Sequence, residues 1–417
     1  MSMYLCIDLK SFYASVECSE RGLDPFAVNL VVADPTRGNG ALCMAITPKM
    51  KTLGVKNRCR IFEIPKGMDY IVAKPRMRLY MEYAAKIYKI FLKYVAKEDI
   101  HVYSIDESFL NIEPYMKLYG LSPKALAKKI TYAIFEQTHI TATVGIGTNL
   151  YLTKIALDIL SKHVPDNMGY LDESLYQNLL WHYKPLTDFW RIGPGISRRL
   201  AQLGIFDMYD LAHYPEDILY QTFGIQAEYL IDHAWGKEPT TIQDIKNYHS
   251  QAHSVSNSQI LFEDYSYQDA YLIVKEMVDV NVLRLVDEHL VTNRIALYIG
   301  YSKNCRKASS ATAKITNCTN SYRILLAEFK RLYQRIVDPH YPIRQIGLSF
   351  CDVKDERYES YDLFTDPNAI EKEASVQKAI IEIKQKYGKN AILKGMNLEE
   401  KATARKRNLL IGGHNAQ

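Results

Sequence analysis

No Cys-x-x-Cys pair occurs among the seven scattered cysteines, so structural zinc is not expected and free thiols in a reducing cytoplasm are. No apolar run approaches the ~18 residues needed to span a bilayer, which excludes a helical membrane protein. The first residues reach a carboxylate at Asp8, so a secretory leader is not expected. There is no internal repeat, and the net charge of +5 says little about partners. What is present is 47% hydrophobic and 24% charged residues, the composition of a folded globular chain. At 417 residues the chain exceeds one core and predicts roughly two to four domains.

The positive charge is concentrated. Ten Lys or Arg stand against Glu328 and Asp338 in residues 291–350, a surplus of eight. Such a surplus suits a polyanion-binding face, and equally a solvated surface.

Residues 3–8 read as a buried strand ending at Asp8, followed by a helix over 11–20. Strands are predicted at 28–33 and 41–46, around the turn-rich loop Asp34-Pro35-Thr36-Arg37-Gly38-Asn39-Gly40. Leu79, Tyr83, Ile87, Ile90, Phe91 and Tyr94 recur at helical spacing over 76–97. Residues 101–112 are two apolar runs around the pair Asp106-Glu107, a hairpin with the acids near its bend. A helix at 123–137 and a strand at 141–147 complete an α+β sheet covered by helices on one face. Residues 173–235 read as all-helical, and 237–252 as a polar linker. Beyond it, strands are predicted at 254–261, 294–301 and 344–351, with helices at 267–287 and 320–336. The segment after 352 begins polar and acidic and carries one helical stretch, 370–387.

If the first strand and the hairpin lie side by side, Asp8, Asp106 and Glu107 meet. Three carboxylates at one spot repel unless cations occupy it. Hard oxygen ligands suit Mg²⁺, and two such ions can clamp the attacking and leaving oxygens of a phosphoryl displacement. Taken alone, Asp106-Glu107 is also an ordinary pair of turn acids.

Three segments together carry a family resemblance. Cys6-Ile7-Asp8-Leu9-Lys10-Ser11-Phe12-Tyr13-Ala14-Ser15-Val16-Glu17 resembles the opening motif of Y-family translesion DNA polymerases. Tyr103-Ser104-Ile105-Asp106-Glu107-Ser108-Phe109-Leu110 resembles their second acidic motif. Val144-Gly145-Ile146-Gly147-Thr148-Asn149, with Lys154-Ile155-Ala156, resembles the third. The resemblance covers about the first 240 residues and is nearest to the UmuC-like bacterial branch. Ala402-Thr403-Ala404-Arg405-Lys406-Arg407-Asn408 and Ile411-Gly412-Gly413-His414 resemble the tail of its Gram-positive members.

The resemblance implies a right-hand polymerase. Its ferredoxin-like palm would span 1–10 and 77–165, small fingers 11–76, and a helical thumb with a helix-hairpin-helix 166–236. After the linker at 237–252 would come an α/β little finger at 253–353 and a C-terminal tail at 354–417. It implies two Mg²⁺ ions held by Asp8, Asp106, Glu107 and the Leu9 carbonyl. Tyr13 matches the steric gate that excludes a ribose 2′-hydroxyl, whereas Phe12 is assigned to the core. In the fingers the family's triphosphate-holding Thr, Tyr and Arg correspond to Ala45, Pro48 and Lys51. Ala45 and Pro48 have no donor to offer; Thr47 and Lys49 are the nearby replacements. Of Lys154 and Lys162 in the palm, Lys162 is the better match for a triphosphate lysine.

The partners implied are primer–template DNA and a dNTP. Ile192-Gly193-Pro194-Gly195-Ile196 resembles a helix-hairpin-helix turn, where Gly193 and Gly195 let a phosphate approach and Arg198 and Arg199 add charge. Lys303, Arg306, Lys307 and Lys314 fall in the little finger as sequence-independent phosphate contacts. Ser360-Tyr361-Asp362-Leu363-Phe364 resembles a sliding-clamp motif, with Leu363 and Phe364 as the anchors. Accessory proteins of the SOS response are further partners the resemblance allows. The rival functions are a palm-type nucleotidyl cyclase, which needs neither the Gly-Pro-Gly turn nor the basic domain, and a catalytically inactive DNA-binding scaffold.

Overall fold

The computed structural model describes residues 2–250, 254–363 and 365–416. The chain forms two compact units. One runs to Tyr248 and takes back the last residues from His414; the other runs from His249 to Gly413. Among the described residues, no helix is long and apolar enough to cross a membrane.

The first unit opens with β1 (Tyr4–Leu9) and α1 (Phe12–Ser19). β2 (Leu30–Val32), β3 (Ala45–Ile46) and β4 (Ile71–Ala73) make a small separate sheet, with α2 (Pro48–Thr52) packed on it. Then come α3 (Met77–Phe91), β5 (Ile100–Val102), β6 (Glu107–Asn111), α4 (Glu113–Tyr119), α5 (Pro123–Thr138), β7 (Ala142–Gly147), α6 (Leu150–Ile155) and β8 (Met168–Leu171). The main sheet has the order β5-β6-β1-β7-β8. β1 lies between β6 and β7, antiparallel to both, with Asp8 opposite Glu107 on one side and Thr143 on the other.

Helices cover both faces of this sheet, not one. α3 lines the face carrying Ile7, Leu9 and Ser108. The opposite face, that of Cys6 and Asp8, receives α6 and the π-helical turn Ala156–Leu160. The physical reason lies in the Val-Gly-Ile-Gly motif. A Cβ on Gly145 would sit 2.0 Å from the Thr153 carbonyl oxygen, and one on Gly147 2.5 Å from the Thr153 nitrogen. Only residues without a Cβ let α6 lie so close to β7. The Asn149 side chain then caps α6, accepting from the Leu152 amide at 2.8 Å.

The helix predicted over 76–97 stops at Phe91 and buries Tyr80, Ile87, Ile90 and Phe91, with Leu79 half-buried. β8, parallel to β7, is a strand the sequence pattern does not announce. Residues 173–235, read as all-helical, carry short helices separated by turns and one 3-10 segment at Leu186–Asp188. α7 (Glu173–Leu180), α8 (Pro194–Gln202), α9 (Met208–Ala212), α10 (Glu216–Phe223) and α11 (Gln226–Ala234) share a core with Tyr151, Tyr176, Leu200 and Leu219.

The expected linker is not wholly irregular. α12 (Ile242–Asn247) starts at a capping box, in which the Asp244 amide donates to Thr241 Oγ1 and the Asp244 carboxylate accepts from the Thr241 amide. Its Ile242 is buried against Tyr4, Cys6 and Phe109. One apolar residue in so short a helix leaves no period to read. Residues 251 and 252 of that segment lie outside the described residues.

The second unit contains β9 (Val255–Tyr265), α13 (Tyr267–Asp287), β10 (Leu290–Tyr301), β11 (Ser309–Thr319), α14 (Tyr322–Ile336), β12 (Ile343–Cys351), α15 (Pro367–Tyr387) and α16 (Ala404–Arg407). Its sheet is antiparallel in the order β11-β10-β12-β9, with α13 and α14 filling a core around Met277, Phe329 and Phe350. The Ser/Thr-rich β11 lacks apolar alternation strong enough to read from sequence; pairing with β10 makes it a strand. The tail is fastened to this unit. The fully buried Glu276 carboxylate accepts from Asn397 Nδ2, the Thr403 amide and the Ala404 amide, which caps α16.

Candidate active site

β1 and β6 present Asp8 and Glu107 side by side, because directly paired residues of adjacent strands point to the same face. Asp106 sits in the bend before β6, where its carboxylate accepts from Ser104 Oγ at 2.7 Å and its carbonyl accepts from the Leu9 amide at 3.0 Å. Burial, then the charges of Asp106 and Glu107, push the Asp8 carboxyl up from 3.8 to about 7. A buried carboxyl crowded by two other acids is held toward its neutral form, even with Lys154 and Lys162 acting against the shift.

The three carboxylates occupy one end of the sheet, but they do not form a ready-made cage. Among the described residues no group of three or more acidic, cysteine or histidine side chains is disposed to hold a metal ion. Glu107 is turned elsewhere: both its oxygens accept from Lys154 Nζ, at 2.8 and 2.9 Å, and Oε1 also accepts from Cys6 Sγ at 3.1 Å. The donor set still fits a divalent cation. It consists of hard carboxylate oxygens, and among the described residues neither Asp8 nor Asp106 has a lysine or arginine within ion-pair distance.

Lysines ring the same end. Burial first, then Lys162 and Lys10, lower the Lys51 ammonium, while Asp8 and Asp106 raise it. Lys51, Lys162 and Lys10 are therefore close enough to one another and to the acids to feel their charge. Lys10 donates to Asn167 Oδ1. The sequence reading missed Lys10, the turn residue directly after β1, although it stands only two positions past Asp8 in the same motif. Lys154 is buried on Glu107 and Asp158, whereas Lys162 is exposed and only loosely paired with Asp158 at 3.4 Å. Of the nearby replacements in the fingers, Thr47 is excluded. It is fully buried, donates to the Val28 carbonyl and accepts from the Leu30 amide.

Tyr13 is half-buried at the start of α1 and near enough to Asp106 for that charge to raise its hydroxyl pKa, after burial. Its ring stacks on Tyr80, with centroids 4.6 Å apart. Tyr80 in turn donates to the fully buried Glu17, which Arg76 clamps with two hydrogen bonds at 2.8 and 2.9 Å. This support was invisible at sequence level because α1 and α3 are about 60 residues apart. Phe12 is buried, as assigned.

The Gly-Pro-Gly turn opens α8, with Pro194 at its first helical position. Side chains added at Gly193 and Gly195 would meet nothing, so this backbone is open to an outside group. Arg198 donates to the Pro194 carbonyl; Arg199 donates to the Thr222 carbonyl and lies on the Phe223 ring, which ties it partly to the helical core. The preceding Trp190 donates from Nε1 to the Tyr103 hydroxyl at 3.2 Å, linking this turn to the acidic hairpin.

In the second unit the sheet face away from α13 and α14 carries small polar residues in rows. Ser310, Tyr298, Gly347 and Ser258 lie across one row, and Thr312, Ala296, Ser349 and Ser256 across the next. Lys314 and Arg294 head a third. Lys303, Lys307 and Lys314 are exposed, whereas Arg306 is paired with Asp338 and lies between the Tyr301 and Tyr341 rings. Leu363 is 99% exposed, and Phe364 lies outside the described residues.

Residues 7–158 match the impB/mucB/samB family, and residues 252–363 match the impB/mucB/samB family C-terminal domain. The chain is 32% identical to the putative UV-damage repair protein UvrX of Bacillus subtilis (strain 168), over 98% of this chain and 97% of that protein. It is 29% identical to DNA polymerase IV 2 of the same organism, over 98% of this chain and 97% of that protein. Among solved structures it is similar in fold to a Y-family DNA polymerase chimera, Dbh-Dpo4(243-245)-Dbh. The TM-score is 0.62 at 21% identity, covering 85% of this chain and 99% of that one. Two matching family domains and a near full-length relative above 30% identity settle the family: the chain belongs to the impB/mucB/samB family, and its fold is that of Y-family DNA polymerases.

Proposed function

We propose that this protein is a template-directed DNA polymerase that extends a primer 3′ end with dNTPs opposite damaged bases. The observation that carries this reading is the convergence of Asp8, Asp106 and Glu107 with Lys51, Lys162 and Lys10 at one end of the sheet. The acids suit the cations of a phosphoryl transfer, and the lysines suit the triphosphate. The names of its relatives, a UV-damage repair protein and a DNA polymerase IV, agree with it.

Asp8, Asp106 and Glu107 would hold two Mg²⁺ ions, with the Leu9 carbonyl as a further oxygen ligand. Bound there, the ions would lower the pKa of the primer hydroxyl and neutralise charge on the α-phosphate and the leaving pyrophosphate. Lys51 and Lys162 would grip the triphosphate as point charges, in place of the donors that Ala45 and Pro48 cannot supply. Tyr13, backed by Tyr80, would lie under the sugar and clash with a 2′-hydroxyl. The Gly193–Gly195 turn would seat one duplex phosphate, with Arg198 and Arg199 beside it. The small polar rows of the second unit would accept backbone of any sequence, because phosphate contacts position without reading bases. Leu363 and Phe364 would anchor in a sliding clamp, and SOS accessory proteins would be further partners. The seven free cysteines suit work in the cytoplasm.

The direct test is primer extension on undamaged and abasic templates, with Mg²⁺ and with chelator. Extension on both templates that stops with chelator supports the reading; no extension with any divalent ion sinks it.

Two expected results follow from charge. Replacing Lys303, Lys307 and Lys314 together with Gln should weaken duplex binding on all sequences alike, and flatten the log–log salt slope by about 2.7 at most. Fluorescence anisotropy across a salt series measures this, and an unchanged slope returns the basic stretch to a solvated surface. The second concerns Asp8. Its folded carboxyl is raised to about 7, so the stability this contributes is fully present below the ordinary 3.8 and lost as the pH rises through about 7. The effect is about 4 kcal/mol at most. Metal-free protein should lose melting temperature between pH 5 and 8, and Asp8→Asn should flatten that slope. Identical slopes in the two proteins contradict the crowded-acid description.

A further inference from the structure

Lys154 is the buried cation nearest the proposed metal ligands, and its contacts define what it can do. Its ammonium touches both oxygens of Glu107, at 2.8 and 2.9 Å, and both oxygens of Asp158, at 3.1 and 3.3 Å. The Lys154 and Glu107 side chains are 9% and 11% exposed, so water does little to screen the pair. α6 cannot drift, because Gly145 and Gly147 seat it directly on β7. The Tyr103 ring, held by the Trp190 indole, covers the ammonium from 5.8 Å. The lysine therefore sits between a carboxylate at the reaction centre and a second carboxylate one helical turn along its own helix.

A buried carboxylate that binds a divalent ion needs another counter-charge when that ion is away. Lys154 has the position and the charge to supply it. It cannot stay once a divalent ion reaches Glu107, since an ammonium and a metal on the same carboxylate repel strongly at that range. Asp158, already in contact and 27% exposed, is the place for the ammonium to go.

We propose that Lys154 is a built-in stand-in cation that occupies Glu107 until a divalent ion displaces it onto Asp158. It is a positioning residue, acting through Glu107 and never on substrate. It keeps the third carboxylate charged and aimed while the site waits, and it weakens metal binding in the absence of nucleotide. The inference rests on the reading of Asp8, Asp106 and Glu107 as cation ligands. It would make the site fill when a triphosphate brings its own negative charge.

The test is equilibrium binding of Mn²⁺ to the full chain at pH 8 without DNA or nucleotide, read from the electron paramagnetic resonance signal of free Mn²⁺. Lys154→Met removes the competing charge and should bind Mn²⁺ about tenfold more tightly than the parent. Lys154→Arg keeps the charge and should stay near the parent. Asp158→Asn removes the refuge of the displaced ammonium and should bind several-fold more weakly. Unchanged or weaker binding by a folded Lys154→Met overturns the exchange. If that variant does not fold, parent-like affinity in Asp158→Asn overturns it instead. Asp8→Asn separates the two levels. If it too binds like the parent, the cation-ligand reading itself falls; if it loses Mn²⁺ while Lys154→Met is unchanged, only the role of Lys154 falls.

Discussion

Asp106→Ala should abolish nucleotide addition while leaving primer–template affinity nearly unchanged. The Asp106 side chain hangs from the bend before β6 and makes one local hydrogen bond, to Ser104, so the sheet does not depend on it. Its loss removes one of the oxygens proposed to hold the reacting phosphate's counter-ions. Such charge stabilisation is worth several kcal/mol, so the rate should fall by roughly a thousandfold or more. DNA affinity would rest on the Gly-Pro-Gly turn and the basic unit, far along the sequence from residue 106. Single-turnover extension and DNA anisotropy on the same preparation check both halves. Parent-like extension by this variant would remove Asp106 from the site.

Tyr13→Ala should raise the rNTP-to-dNTP efficiency ratio by about two orders of magnitude, chiefly by admitting ribonucleotides. The ring is half-buried and stacks on Tyr80, which keeps its own place through Glu17 and Arg76. Truncation therefore opens room at the place proposed for the sugar without collapsing the wall behind it. The stacking lost is worth about 0.5–1.5 kcal/mol, a cost the fold should tolerate. The acids are untouched, so dNTP addition should persist. An unchanged ratio would make Tyr13 a packing residue only.

The sequence by itself determined the parts of this protein whose cause is local. An apolar run closing on Asp8, a hairpin bent at Asp106-Glu107 and glycines at 145 and 147 each carry their signal within a few residues. So do the capped helices and the charge surplus at 291–350. Motif order did the rest for the family. What only the tertiary structure decided depends on partners distant in the chain. β8 and β11 are strands because β7 and β10 offer them backbone to pair with. Ile242 makes a helix dock because Tyr4, Cys6 and Phe109 leave a place for it. The second helical layer over the sheet exists because Cβ atoms are missing where Thr153 must pass. Above all, Lys154 and Glu107 are 47 residues apart, and neither residue type announces the other. A charge pair of that kind is a property of two surfaces brought together and excluded from water. No period or motif in one stretch of sequence can encode it.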